Sequence, residues 1–288
     1  MILKPTFQIF LFLLFPCWMA ACVASPQPTV VPPTSLTSTL APLSPPSLST
    51  SSPTSEPADT GWQSLHPGFE RRMIRLFNVE NQHIESVYIW RLDQNFFRLD
   101  VAHQETPQSL DDWQAETNAL LVVNGGFYSV ENERYFPNGL TIVGGQSSGS
   151  SYDSFGGMLT IGETSAELRS LVETPYDPGE PLWAGLQSFP VLVKPGGVLG
   201  FPVEFEDNLK ARRTVIAQDR EGRILFIVTP RGHFTLHQLS LYLTLSDLNL
   251  NIAINLDGGP STGILVASPR EIIPSQTLLP IVILAYPR

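Results

Sequence analysis

The 288-residue chain is short of cysteine and short of charge. Only Cys17 and Cys22 are present, and both precede the region able to fold, so that region has no internal disulfide and depends on its core. Charged side chains make up 15% of the residues, and 27 acidic against 17 basic give a net charge of −10. This balance excludes a typical nucleic-acid partner, whose phosphates demand clustered Lys and Arg for counterion release. No zinc site is indicated in a folded region without cysteine. Gly144-Gly145 lacks the lysine that a nucleotide-phosphate loop requires. Long apolar runs are also missing: the stretch from Phe7 to Phe15 stops at Pro16, too short to span a bilayer of roughly 30 Å.

What is present is unevenly distributed. Lys4, the apolar stretch and the small residues from Ala20 read as a secretion signal over residues 1–21. Met19-Ala20-Ala21-Cys22 resembles a bacterial lipobox, which makes Cys22 the expected lipidation site and new N-terminus. Ordinary signal-peptide cleavage after an alanine is the alternative. From Val23 to Pro57, 24 of 35 residues are Ser, Thr or Pro, which cannot build a core, so residues 22–61 are expected to form a disordered tether. The whole pattern suggests an exported protein of a bacterial cell envelope, anchored to the membrane through its N-terminal lipid.

Residues 62–288 then form the domain. Short apolar runs bounded by Gly, Pro, Asn and Asp, such as Ala119 to Val123, Val215 to Ala217, Ile252 to Ile254 and Ile281 to Leu284, predict strands. Helix starts are fewer. Ser109-Leu110-Asp111-Asp112 opens one, and Thr235-Leu236-His237-Gln238 has the form of a capping box for a second ending near Ser246. The expected fold is α+β: a strand-rich single domain with two principal helices packed on a mixed sheet.

Two strands end abruptly in a polar residue and paired glycines: Val123-Asn124-Gly125-Gly126-Phe127-Tyr128 and Asn255-Leu256-Asp257-Gly258-Gly259-Pro260-Ser261-Thr262. Paired glycines permit positive φ and let successive amides converge on an anion, although Asn-Gly and Asp-Gly are also common in plain β-turns. These stretches resemble the two signatures of the phosphodiester glycosidase family, the N-acetylglucosamine-1-phosphodiester α-N-acetylglucosaminidase-like domains. Pro137-Asn138-Gly139-Leu140, Gln187 to Val193 and Arg213-Thr214 extend the resemblance in the family's order. Departures fall at Phe189, Pro260 and Thr262.

The resemblance implies hydrolysis of a glycosyl-1-phosphodiester at the anomeric carbon, within a cell-envelope glycopolymer for an exported protein. Such a reaction needs anion recognition and a carboxylate that activates water or stabilises positive charge. Asp257 and Arg213 are the catalytic candidates, Arg213 because a guanidinium fork matches phosphate. Asn124, Gly125, Gly126, Asn255, Gly258, Gly259, Ser261 and Thr262 are the substrate-binding candidates, with turn-fixing as the other role for the asparagines and an Asx-turn for Asp257. Arg212, His233 and His237 are expected as solvent-facing residues. Glu131 and Glu133 could add carboxylates, and Ca²⁺ could sit among Asp257, Glu131 or backbone carbonyls. The competing function is a non-catalytic module that binds an anionic glycan or assists envelope assembly. Ordinary glycoside hydrolysis fits less well, because it needs two apposed carboxylates.

Overall fold

The computed structural model describes residues 57–151 and 156–288. The signal segment, Cys22 and residues 22–56 of the tether lie outside the described residues. The last residues assigned to the tether, 58–61, are part of the fold: Thr60 N donates to Met73 O at 3.0 Å, and Asp59 forms a bridge with Ile74.

Strands β1 (Gln63–His66), β2 (Phe69–Phe77) and β3 (His83–Leu92) pair as successive antiparallel neighbours, and β4 (Phe97–Gln108) departs to another sheet. Helix α1 (Leu110–Thr117) begins where the Ser109 side chain accepts the Asp112 amide, and it stops at Asn118 in the left-handed region at φ 53°. It delivers the chain to β5 (Leu121–Asn124). Then come β6 (Tyr128–Glu131) and β7 (Arg134–Pro137), a two-stranded ribbon. A small sheet follows, built from β8 (Thr141–Val143), β9 (Gln146–Ser148), β10 (Gly157–Ile161), β11 (Ala166–Ser170) and β12 (Ala184–Ser188). The chain continues through β13 (Val191–Lys194), β14 (Val198–Leu199), β15 (Arg213–Asp219) and β16 (Ile224–Thr229) to helix α2 (Leu236–Leu245). The expected capping box is present there, with Thr235 and Gln238 bonded reciprocally. The last strands are β17 (Leu250–Asn255), β18 (Ile264–Ala267), β19 (Arg270–Ile273) and β20 (Leu279–Pro287).

The largest sheet runs β1-β2-β3-β16-β15-β17-β13-β14, and a five-stranded sheet runs β19-β18-β5-β20-β4. The strand-rich α+β expectation agrees with this architecture, but the mixed sheet does not. Every strand pair among the described residues is antiparallel. The reason is topological. Each helix joins two strands that run the same way, β4 to β5 and β16 to β17, and in each case an antiparallel strand, β20 or β15, is inserted between them.

The period-two alternation of the strands divides the apolar residues among layers. Leu121 and Val123 of β5, Ile252 and Ile254 of β17, and Leu159 of β10 share the central core between the sheets. Val122 turns instead toward Leu110 and Trp113 of α1, and Ala253 toward Leu239 and Leu243 of α2. One helix therefore covers the outer face of each large sheet.

Arg72 of β2 is buried between Asp59 and Asp247, the latter at 3.0 Å. A chain shortened to begin at Trp62 is expected to lose about 1–3 kcal/mol of stability relative to one beginning at Pro57, measured by urea denaturation at neutral pH. Hydrogen bonding to Arg72 holds the Asp59 carboxyl below its ordinary value of 3.8. The ion-pair share of that difference should therefore be complete above pH 3.8 and fade as the pH falls through the lowered folded value.

Candidate active site

Asn124 and Asn255 are the last residues of β5 and β17, the second strand of each helix-linked pair. The two glycine corners that follow are in direct contact: Asp257 N donates to Gly125 O at 3.1 Å. Asn124 fastens them. Its Nδ2 donates to Asp257 O at 2.7 Å, while its Oδ1 accepts from Thr214 Oγ1 at 2.7 Å and from Gly263 N at 3.0 Å. With 1% exposure, Asn124 holds the turns and does not face a ligand. Asn255 is similarly internal, its Nδ2 donating to Phe189 O at 3.1 Å, and its Oδ1 is a buried acceptor without a partner among the described residues.

The glycines serve close packing of the chain on itself more than approach by a ligand. A Cβ on Gly125 would lie 2.7 Å from Ile281 Cγ2, one on Gly126 would lie 3.2 Å from Gln187 O, and one on Gly258 would lie 2.9 Å from Arg212 O. Of the four, only Gly259 has positive φ, 56°, with open space where a side chain would go. The expected anion-binding cluster of amides is also largely engaged internally. Gly125 N donates to Ile281 O, Gly258 N to Asp257 Oδ1 and Gly259 N to Arg212 O. The crevice between the corners, about 130 Å³ and bordered by Asp257, Ser261 and Tyr128, has no room for a water-sized guest. Asp257 is therefore open to a ligand only from its solvent side.

Asp257 is the half-buried carboxylate of this region. Burial raises its pKa above the ordinary 3.8, opposed by hydrogen bonds from the Ser261 hydroxyl and the Gly258 amide. Ser261 ends the short 3-10 turn Gly259–Ser261, which returns its hydroxyl to Asp257. Thr262 is fully buried and its hydroxyl has no partner among the described residues, so it contributes to packing and not to a binding surface.

Arg213 opens β15 beside Gly258, with Nη2 donating to Leu209 O at 2.6 Å and Nε buried without a partner among the described residues. Burial lowers its pKa, against the opposing effect of Asp207 and Glu206. Arg212 is not the surface charge its position suggested: Nη2 donates to Thr262 O at 3.0 Å and Pro274 O at 2.8 Å, tying down the loop after the second corner. His237 and His233 are likewise held in place. His237 Nδ1 lies 2.9 Å from Phe201 O, and the His233 amide donates to Glu85. Glu131 and Glu133 are exposed where β6 turns into β7, and no group of three His, Cys, Asp or Glu among the described residues could hold a metal ion.

The other segments of the family pattern converge on these corners. Ser188 Oγ donates to Asn255 O at 2.7 Å, Phe127 and Phe189 stack at 4.5 Å, Asn138 N donates to Phe127 O, and Leu140 N donates to Gln187 Oε1 at 3.3 Å. A comparison with protein-family profiles matches residues 117–278 to Phosphodiester glycosidase. The chain belongs to the phosphodiester glycosidase family.

Among solved structures, the zebrafish N-acetylglucosamine-1-phosphodiester α-N-acetylglucosaminidase catalytic domain, auto-inhibited by its pro-peptide, is similar at 16% identity and a TM-score of 0.60. The match covers 78% of this chain and 86% of that one. A hypothetical protein from Synechocystis is similar at 15% identity and a TM-score of 0.50, over 77% of this chain and 62% of that one. At these identities the likeness is one of fold. No curated protein sequence matches. Within the phosphodiester glycosidase domain, sequence reasoning missed Thr214 as the partner of Asn124 and Ser188 as the partner of Asn255. A hydroxyl ending or interrupting an apolar strand was the available signal.

Asn124→Ala would leave the Thr214 hydroxyl, the Gly263 amide and the Asp257 carbonyl without their partner. A loss of about 2–4 kcal/mol is expected in thermal or urea unfolding. An Asn124 that served only to bind substrate would leave the unfolding midpoint unchanged. Gly125→Ala should also destabilise the domain, by about 1–3 kcal/mol, because a methyl group there meets Ile281.

Proposed function

We propose that this chain hydrolyses a glycosyl-1-phosphodiester, with Asp257 as the carboxylate that receives a proton from water. Water oxygen bonds to the anomeric carbon, the bond from that carbon to the phosphate oxygen breaks, and its electron pair leaves with the phosphate monoester. The proton lost by water passes to Asp257. A phosphate monoester is a good leaving group, so no second carboxylate is needed as a strong acid. The observation carrying this reading is the position of Asp257 at the junction of both family signatures, half-buried, with its pKa raised by desolvation toward the range useful for proton transfer. Arg213 is the anion-recognition group in this reading, since its side chain lies beside Gly258 of the second corner and its Nε has no hydrogen-bond partner among the described residues. We place the enzyme outside the cytoplasmic membrane on the strength of the N-terminal leader and the lipobox-like stretch ending at Cys22, acting on envelope glycopolymers. No helix among the described residues is long and apolar enough to cross a membrane.

The name of the zebrafish relative makes α-N-acetylglucosamine 1-phosphodiesters the first substrates to test. Asp257→Asn is expected to lower kcat/KM by about 10²–10⁴-fold with an unchanged circular dichroism spectrum. Ser261→Ala removes a hydrogen bond that lowers the Asp257 pKa, so the acidic limb of the kcat/KM profile should move to higher pH. Equal turnover by Asp257→Asn and the parent chain would remove Asp257 from the mechanism. Saturable binding of the diester without turnover by the parent chain would favour the glycan-binding alternative.

A further inference from the structure

A second concavity lies at the same end of the strands as the glycine corners. It is a groove of about 490 Å³ bordered by Val172, Pro190, Val191, Phe201 and Phe205, within the size range of small-molecule sites. The strand ends show its location. Ser170 of β11 and Ser188 of β12 both stand opposite Gly157, Ser188 is bonded to Asn255, and Pro190 O accepts the Asn255 amide at 3.0 Å. The loop that supplies Phe201 and Phe205 also supplies Leu209, whose carbonyl accepts from Arg213. One wall of the groove thus adjoins the β17 corner, and the loop forming the other is tied to the guanidinium.

The apolar side chains here are open to solvent to an extent a monomer seldom leaves in one place. Of the groove's own lining, Val172 is 65% exposed and Phe205 70%, and beyond its border the same loop carries Val203 at 59% and Leu209 at 60%. The polar groups lining the groove are few, Ser170, Glu173 and Lys194, whereas a sugar ring needs hydrogen-bonding partners along most of its edge.

We propose that this groove receives the alcohol half of the phosphodiester, and that this alcohol is a long apolar chain of the prenyl or fatty type. The inference rests on the hydrolase reading and specifies its substrate class. With the phosphate at Arg213 and the sugar at Asp257, the esterified alcohol extends past Leu209 toward Phe205. Burial of the chain against Phe201, Phe205 and Val172 then supplies affinity that a short or sugar alcohol cannot obtain there.

Binding of farnesyl phosphate, below its micelle concentration, tests the groove without requiring turnover. Calorimetry should give a Kd at least about tenfold lower than for methyl phosphate or mannose 6-phosphate. Phe205→Ser should weaken farnesyl phosphate binding by about tenfold, whereas Leu245→Ser, an exposed apolar change on α2, should leave it unaltered. Absence of binding, equal binding by both variants and the parent chain, or a preference for mannose 6-phosphate overturns the proposal, the last in favour of a glycan.

Methyl and farnesyl esters of α-N-acetylglucosamine 1-phosphate separate this inference from the hydrolase reading. Turnover of both at equal kcat/KM overturns the apolar alcohol and keeps the hydrolase. Farnesyl phosphate bound at Phe205 with neither ester cleaved overturns the hydrolase and the substrate assignment that depends on it.

Discussion

One buried amide, that of Asn124, holds together what the rest of the site requires. It reaches three partners on separate segments: Thr214 at the start of β15, Gly263 before β18, and the carbonyl of Asp257 itself. No charged group could replace it at similar cost, because the position needs a donor and a double acceptor in one neutral side chain, and a buried ion there would lack a counter-charge. The orientation of the Asp257 carboxyl follows from this clamp, since the peptide carrying it is bonded to Asn124 through its carbonyl and to Gly125 through its amide.

The clamp works because the two corners occupy corresponding places in the fold. Each follows a strand reached through a helix, and each such strand has an antiparallel neighbour inserted beside it. Asn124 stands opposite Val282 of β20, as Asn255 stands opposite Val215 of β15. The helices cover outer faces, so the strand ends remain uncovered and their corners can meet. Such corners have the property that suits loops to function in other folds: the scaffold fixes their bases while their tips stay accessible.

Much of this was legible in the chain. Strand positions followed from short apolar runs, both helix starts from their capping residues, and the two corners from polar residues placed before paired glycines. The mixed sheet was not legible correctly, because a helix between two strands reads as a parallel crossover unless the inserted strand can be foreseen, and β20 lies more than 150 residues after β5. The close packing of two of the glycines was not legible for a related reason. Gly125 is required by Ile281 and Gly258 by the backbone of Arg212, contacts between distant segments that no local pattern contains. Arg212 and Arg213 are adjacent in sequence, and only the structure shows that the Arg212 guanidinium bonds Thr262 O and Pro274 O while that of Arg213 bonds Leu209 O.

The place of β20 has a consequence for how the domain is made. This strand, Leu279–Pro287, lies between β4 and β5 and bonds to both, and its Ile281 carbonyl receives the Gly125 amide. Until it is synthesised, β4 and β5 have a vacant lane between them and the first corner has no floor. A nascent chain emerging from the ribosome therefore keeps two sheet edges unpaired until nearly the whole domain is out. That late closure leaves the chain incompletely folded for most of its synthesis, and it makes the meeting of the two glycine corners one of the final events of folding.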